Sequence, residues 1–370
     1  MIPLSRPDIT KLEIDEVVKV LKTPNLALGP KIGEFERIIA KHIGVKYAVA
    51  LNSGTAALHL AVRALDLKDG DEVITTPFSF ISSSNCILYE RAKPVFVDID
   101  EKTLCIDHRK IEKAITKRTK AILAVDIFGH PAQWPEILKI AQKHNLRIIE
   151  DSAEALGSQY EGKKCGSFGN IGILSFYPNK QITTGEGGML LTDNKKIAKI
   201  CESLRNQGRG KGEGWLFHPR FGYNYRISDI NCALGIAQMK RIREILAKRE
   251  RVADLYNEKL KKISEIETPF IAPKVKIGWF VYVARLKEDY KKKRRDAILR
   301  ELRKRGIDCR DYFAPIHLQP PYIKMFGFKE GDFPVCESVA KRTIALPFYN
   351  NLREKDVDFV VKTLKSILEN

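Results

Sequence analysis

The most suggestive chemistry in this 370-residue chain is a lysine placed between two β-type runs. In the segment 172–191, GILSFYPNKQITTGEGGMLL, an apolar run ends at Ser175 and Phe176. Lys180 follows, and Thr183-Thr184-Gly185-Glu186-Gly187-Gly188 then leads into a second apolar run. A lysine in a short loop between strands can form a Schiff base with an aldehyde, whereas an ordinary surface lysine is only a solvated charge. Glu150-Asp151 closes the β-type run RIIE, which places Asp151 at the ligand edge of a parallel sheet. A carboxylate there can hold a protonated pyridine nitrogen and keep that ring an electron sink; as a lone residue it is equally an N-cap or a loop ion pair. Asn52-Ser53-Gly54-Thr55-Ala56-Ala57 follows another β-type run and opens a helix. Its free N–H groups, the positive end of the helix dipole, the small Gly54 and the Thr55 hydroxyl suit a phosphate. Read alone, the same motif is an N-capped helix after a tight turn.

These residues need a scaffold, and the first two thirds of the chain supply one. Short β-rich runs alternate with helix-like stretches, the rhythm of βαβ units and an α/β fold with a mainly parallel sheet. Strands are expected at 46–51, 72–76, 94–98, 121–125 and 147–150, and helices at 56–65 and 134–144. Residues 229–262, rich in Ala, Leu, Lys and Arg, read as one long helix leading out of this domain. A smaller α/β unit follows, with an apolar run at 279–284, a basic helix at 294–305, a proline-rich loop at 313–322 and an amphipathic helix at 355–368. The expected division is a large domain, 1–245 with an N-terminal arm, and a C-terminal domain, 246–370.

Composition narrows the function classes. Hydrophobic residues make up 44% and charged residues 30%, an ordinary globular balance. No apolar run reaches the roughly 18 residues of a membrane span. The opening MIPLSRPDITKLEIDEVV lacks the apolar core of a signal peptide, so a cytoplasmic protein without membrane contact is expected. The seven cysteines are scattered without zinc-ligand spacing, which reads as idle or buried free thiols and no metal. The net charge of +18 fits either a field that attracts polyanions or a Lys/Arg-rich solvated surface. Much of the excess sits in helix-like stretches such as 290–296 and 299–306, which favours the surface reading and leaves a part to draw in a nucleotide diphosphate. A nucleic-acid-binding regulator is the rival from another class. No helix-turn-helix, zinc finger or basic-aromatic stripe supports it, and no nucleic-acid partner is expected.

Taken in order, NLALGPKIGEFE (25–36), NSGTAALHLA, EDSAEALGS, SFYPNKQITTGEGGM, GYNYRISDINCALGIAQ, PIHLQPPY and TIALPF resemble the DegT/DnrJ/EryC1/StrS sugar aminotransferases, over nearly the whole chain. The late motifs are most similar to those of perosamine-synthase-like 4-aminotransferases. The resemblance implies the fold of fold-type I pyridoxal 5'-phosphate (PLP) enzymes, with a mainly parallel seven-stranded sheet between helices. It further implies that Lys180 is the Schiff-base lysine and that Asp151 partners the pyridine nitrogen. Gly54, Thr55 and Ser175 would then contact the phosphate and Phe80 would stack on the ring. Asn224 would reach the phosphate of a neighbouring subunit, hence a homodimer with shared sites, and His317 would lie near the sugar nucleotide. Three residues after the aspartate many members carry Gln, and here it is Glu154. Beside the cofactor phenolate, Glu154 must be protonated, rotated away or used to tune the ring. Members that dehydrate sugars have histidine in place of the lysine, so Lys180 favours transamination. The implied reaction carries the amino group of glutamate to a nucleotide-linked keto sugar at C4 of a 4-keto-6-deoxyhexose, for amino sugars such as those of lipopolysaccharide O-antigen. Amination at C3 and dehydration are the nearest alternatives.

Overall fold

Seven apolar β runs assemble into one sheet in the computed structural model, which describes residues 1–210 and 216–369. The strands are β1 (Tyr47–Leu51), β2 (Glu72–Thr75), β3 (Lys93–Phe96), β4 (Thr119–Val125), β5 (Arg147–Asp151), β8 (Ile171–Ser175) and β9 (Gly188–Thr192). Short pairs β6 (Gln159–Tyr160), β7 (Lys163–Lys164) and β11 (Val275–Lys276) make a separate small sheet. The large sheet runs β1-β9-β8-β5-β4-β2-β3. Pairing from β8 through β5, β4 and β2 to β3 is parallel, and only β9 is inverted, antiparallel to both β8 and β1. Helices on the faces bury both sides, which is why β1, β4 and β5 read as nearly unbroken apolar runs rather than alternating ones.

The strands and helices expected in the first two thirds appear within a residue or two, as do the helices Lys292–Lys304 and Glu354–Leu368. The apolar run at 279–284 becomes a strand only from Tyr282, and the expected loop at 313–322 gives way to a helix, Pro320–Phe326. Residues 229–262 differ: they form two helices, Asp229–Lys240 and Ile242–Leu260, hinged at Arg241. The Arg241 guanidinium is drawn to Asp8, Glu13 and Glu244 together, at 3.1, 2.8 and 2.9 Å, and its backbone leaves helical geometry there. Gly235 lets the first of these helices press against the second helix of the chain, Pro30–Ile43, because a Cβ would sit 2.7 Å from Phe35. Position 245 falls within the helix Ile242–Leu260, which runs on to β10 (Ile266–Glu267), β12 (Tyr282–Leu286) and β13 (Thr343–Leu346), an antiparallel sheet with its own apolar core. The first residues lie along this C-terminal sheet: Ile2 N–H donates to Gly306 O at 2.8 Å, and Phe348 N–H to Leu4 O at 2.8 Å. No helix among the described residues is long and apolar enough to cross a membrane, and all seven cysteines are buried free thiols.

Candidate active site

Alternation along β5 sends Glu150 and Asp151 to opposite sides. The Glu150 carboxylate accepts from Gly166, Phe168 and Gly169 N–H groups at 2.5, 2.6 and 3.1 Å and fixes the loop before β8. The Ser152 hydroxyl lies between Glu150 and Asp126, and Asp126 also takes the Trp134 indole N–H at 2.9 Å. Asp126, Glu150 and Cys165 are the group of potential metal ligands found among the described residues, and these donors already occupy both carboxylates. Asp151 is thus seated on a braced strand end. One oxygen accepts from the Ser83 hydroxyl at 2.7 Å, the other from Ala153 N–H at 3.2 Å. Burial pushes its pKa up, opposed by those two hydrogen bonds and by the charge of Lys180. Its carboxylate forms no salt bridge among the described residues, and such a buried anion fits a protonated ring nitrogen.

Lys180 enters from the turn after β8, where its N–H donates to Tyr177 O at 2.9 Å. Its Nζ lies 3.5 Å from Glu154 Oε1 and 3.9 Å from the centroid of the Phe280 ring. The other Glu154 oxygen accepts from Phe128 N–H at 2.9 Å. Burial raises the Glu154 pKa against the opposing charge of Lys180.

Ser53 caps the helix Gly54–Ala64, its hydroxyl accepting from Ala56 N–H at 3.0 Å. Two glycines let this helix start approach the sheet. A Cβ on Gly54 would lie 3.0 Å from the Ser175 Cβ, and one on Gly188 would lie 2.3 Å from the Ser53 carbonyl oxygen. The N–H groups of the first turn are therefore presented beside Thr55 and Ser175, a cradle for an anion.

These groups share one cavity of about 590 Å³, room for a cofactor and a sugar. Of the residues named from the sequence, Gly54, Thr55, Phe80, Asp151, Glu154, Ser175 and Lys180 line it. The Phe80 ring is 57% exposed, an apolar face left open to that space. Asn224 and His317 are not on its wall. Asn224 is exposed, and its carbonyl accepts from the Asn52 side chain at 3.4 Å. His317 is fully buried, bonded through Nε2 to Glu337 at 3.0 Å and packed on Phe333. Sequence reasoning missed Ser83, Tyr177, Glu186, Phe280, Asp311, Tyr312 and Phe313, all on the wall. The serine run 82–84 was a usable signal for Ser83, whereas Phe280 arrives from a distant apolar run that reads only as core.

A family model matches residues 7–365 and is described as the DegT/DnrJ/EryC1/StrS aminotransferase family. The chain belongs to that family. It is a PLP-dependent sugar aminotransferase of the expected α/β fold. It is similar to GDP-perosamine synthase of Caulobacter vibrioides, 39% identical over 99% of this chain and 98% of the relative. It is 36% identical to UDP-4-amino-4,6-dideoxy-N-acetyl-beta-L-altrosamine transaminase of Campylobacter jejuni, over 100% of this chain and 98% of the relative. Among solved structures, the PLP form of the putative sugar aminotransferase Spr1654 from Streptococcus pneumoniae superposes with a TM-score of 0.95 at 30% identity, covering 100% of this chain and 98% of that one.

Proposed function

We propose that the enzyme moves the amino group of glutamate to C4 of a nucleotide-linked 4-keto-6-deoxyhexose, with Lys180 as the proton carrier. The observation that carries this reading is the placement of the Lys180 amine between Glu154 and the Phe280 ring, in the cavity that also holds Asp151 and the helix start at Gly54. The helix N–H groups, Thr55 and Ser175 bind the phosphate of PLP, Phe80 supports the ring, and Asp151, oriented by Ser83, holds the ring nitrogen. When bound, the pyridinium ring supplies an electron sink for the charge left on the amino-bearing carbon. With the cofactor bound, the Lys180 amine would be the base that takes the proton from that carbon and later gives it back. Glu154, fixed by Phe128 N–H and 3.5 Å from the Lys180 amine, would be the carboxyl group beside that amine when the cofactor is bound.

The position of amination is supported by the Campylobacter relative, whose name specifies a 4-amino-4,6-dideoxy sugar on UDP. A homodimer that shares its sites through Asn224 belongs to the same reading, supported by the exposure of Asn224 beside Asn52, next to the phosphate cradle. A role for His317 toward the sugar nucleotide would have to be exerted through its hydrogen bond to Glu337, since its ring is fully buried off the cavity wall. Division into a cofactor-binding unit, 1–245, and a smaller unit, 246–370, is supported by the apolar core that the C-terminal sheet has of its own, while Cys336, Val339 and Ala340 of the smaller unit pack into the core of the larger. A cytoplasmic setting and an amino sugar destined for a surface polysaccharide such as O-antigen complete the proposal.

The test is incubation with PLP, glutamate and a panel of GDP-, UDP- and dTDP-linked 3-keto and 4-keto sugars, with product mass and NMR location of the nitrogen. An amine at C4 is expected. An amine at C3, or loss of a hydroxyl without nitrogen gain, overturns the assignment.

A further inference from the structure

Arg249, on the helix Ile242–Leu260, is 3% exposed and forms no salt bridge among the described residues. A buried cation without a counter-ion is costly, and a neutral side chain of similar volume would fill the space at lower cost. Its fork is satisfied instead by backbone carbonyls from two segments. Nη2 donates to Lys180 O at 2.8 Å and Asn179 O at 3.5 Å; Nη1 donates to Phe280 O at 3.0 Å and Trp279 O at 3.3 Å. One segment carries the reactive lysine, and the other carries the ring against which the lysine amine rests at 3.9 Å. The guanidinium also lies 5.6 Å from the Phe348 ring, while its Nε has no partner, so the head group is anchored by the carbonyls it joins. Burial draws its pKa down to about 10, which leaves it charged at neutral pH. A planar, rigid fork is suited to holding two strands of backbone at a fixed separation, as a flexible ammonium is not.

We propose that Arg249 is a positioning residue: by bridging the backbones of Lys180 and Phe280 it holds the lysine amine where it would add to the cofactor aldehyde, a C=N bond replacing C=O with release of water. This rests on the reading that Lys180 is the reactive lysine. It also makes the helix that joins the two units part of the site, although Arg249 touches neither cofactor nor substrate.

The experiment is the rate of covalent capture of PLP by the full-length protein freed of cofactor, followed by absorbance over a range of PLP concentrations. The half-saturating concentration reports docking of the phosphate end, and the limiting first-order rate reports the placement of Lys180. In Arg249→Met the limiting rate falls by about tenfold, the scale of one lost charge-assisted hydrogen bond, while the half-saturating concentration stays within about twofold. In Arg249→Lys the limiting rate lies between parent and Arg249→Met. An unchanged limiting rate in folded Arg249→Met overturns the proposal, as does a change confined to docking. If Arg249→Met does not fold, Arg249→Lys decides, a reduced limiting rate at parental thermal midpoint supporting the proposal and a parental rate overturning it. Failure of the parent itself to capture PLP at Lys180 refutes the underlying site instead, so the two failures are distinct.

Discussion

Gly188 marks a position where the phosphate cradle cannot accommodate a side chain. It begins β9, opposite Leu51 on one side and Ser175 on the other. A Cβ there would lie 2.3 Å from the Ser53 carbonyl oxygen and 2.7 Å from Gly54 N, against about 3.4 Å for an ordinary contact. Both atoms are backbone at the start of the helix Gly54–Ala64, so neither can swing aside like the end of a side chain. Gly188→Ala must therefore drive helix start and sheet apart by about 1 Å, at an overpacking cost of about 1 to 3 kcal/mol. The same displacement pulls the first-turn N–H groups off the anion. Losing one or two hydrogen bonds to a charged group, at about 1.5 kcal/mol each, weakens binding about tenfold to a hundredfold. The assay is calorimetric affinity for pyridoxamine phosphate and for pyridoxamine, neither of which condenses with Lys180. The loss should fall on the phosphorylated ligand alone. A folded Gly188→Ala protein with parental affinity, or with equal loss for both ligands, would refute the cradle.

Other consequences are open to simpler measurements. Asp151→Asn removes a buried charge while keeping the shape beside Ser83. The cofactor-free chain should hold its thermal midpoint while the half-reaction with glutamate slows at least about a hundredfold; a parental rate would remove Asp151 from the chemistry. His42 is held below the usual imidazole range, to about 4, by burial and by the charge of Lys164. The unfolded chain therefore takes up a proton near pH 6.5 that the folded chain refuses until about 4. Its contribution to stability is present above pH 6.5 and is lost as pH falls through that window, by less than about 3 kcal/mol once partial exposure is discounted. His42→Leu should flatten denaturation midpoints between pH 6.5 and 4, and an unchanged pH profile would contradict this. A thiol reagent should find no reactive cysteine in the native protein and seven after denaturation.

Much of the scaffold was legible because parallel strands buried on both faces must be continuous apolar runs. KYAVAL and RIIE announce β1 and β5 almost to the residue. Local patterns also marked where chemistry enters: Asp151 at a strand end, Lys180 between strands, and Gly54 at a helix start all line one cavity. What the sequence hid is contact between distant segments. At the break, the Arg241 side chain meets carboxylates at positions 8 and 13, more than two hundred residues earlier, and helix propensity alone gives no sign of either the break or the contact. Phe280 under Lys180, and Arg249 tying their backbones together, depend on how the C-terminal unit docks on the sheet. Inversion of β9 was equally hidden, since an apolar strand reads the same in either direction.

The most direct test of the central claim is visible absorbance of the PLP-loaded protein before and after glutamate, with Lys180→Ala alongside. Loss of the lysine-bound cofactor band and appearance of pyridoxamine phosphate in the parent, with neither change in Lys180→Ala, is the result the account predicts. Conversion of glutamate by Lys180→Ala at the parental rate would contradict it, and another residue would have to carry the proton.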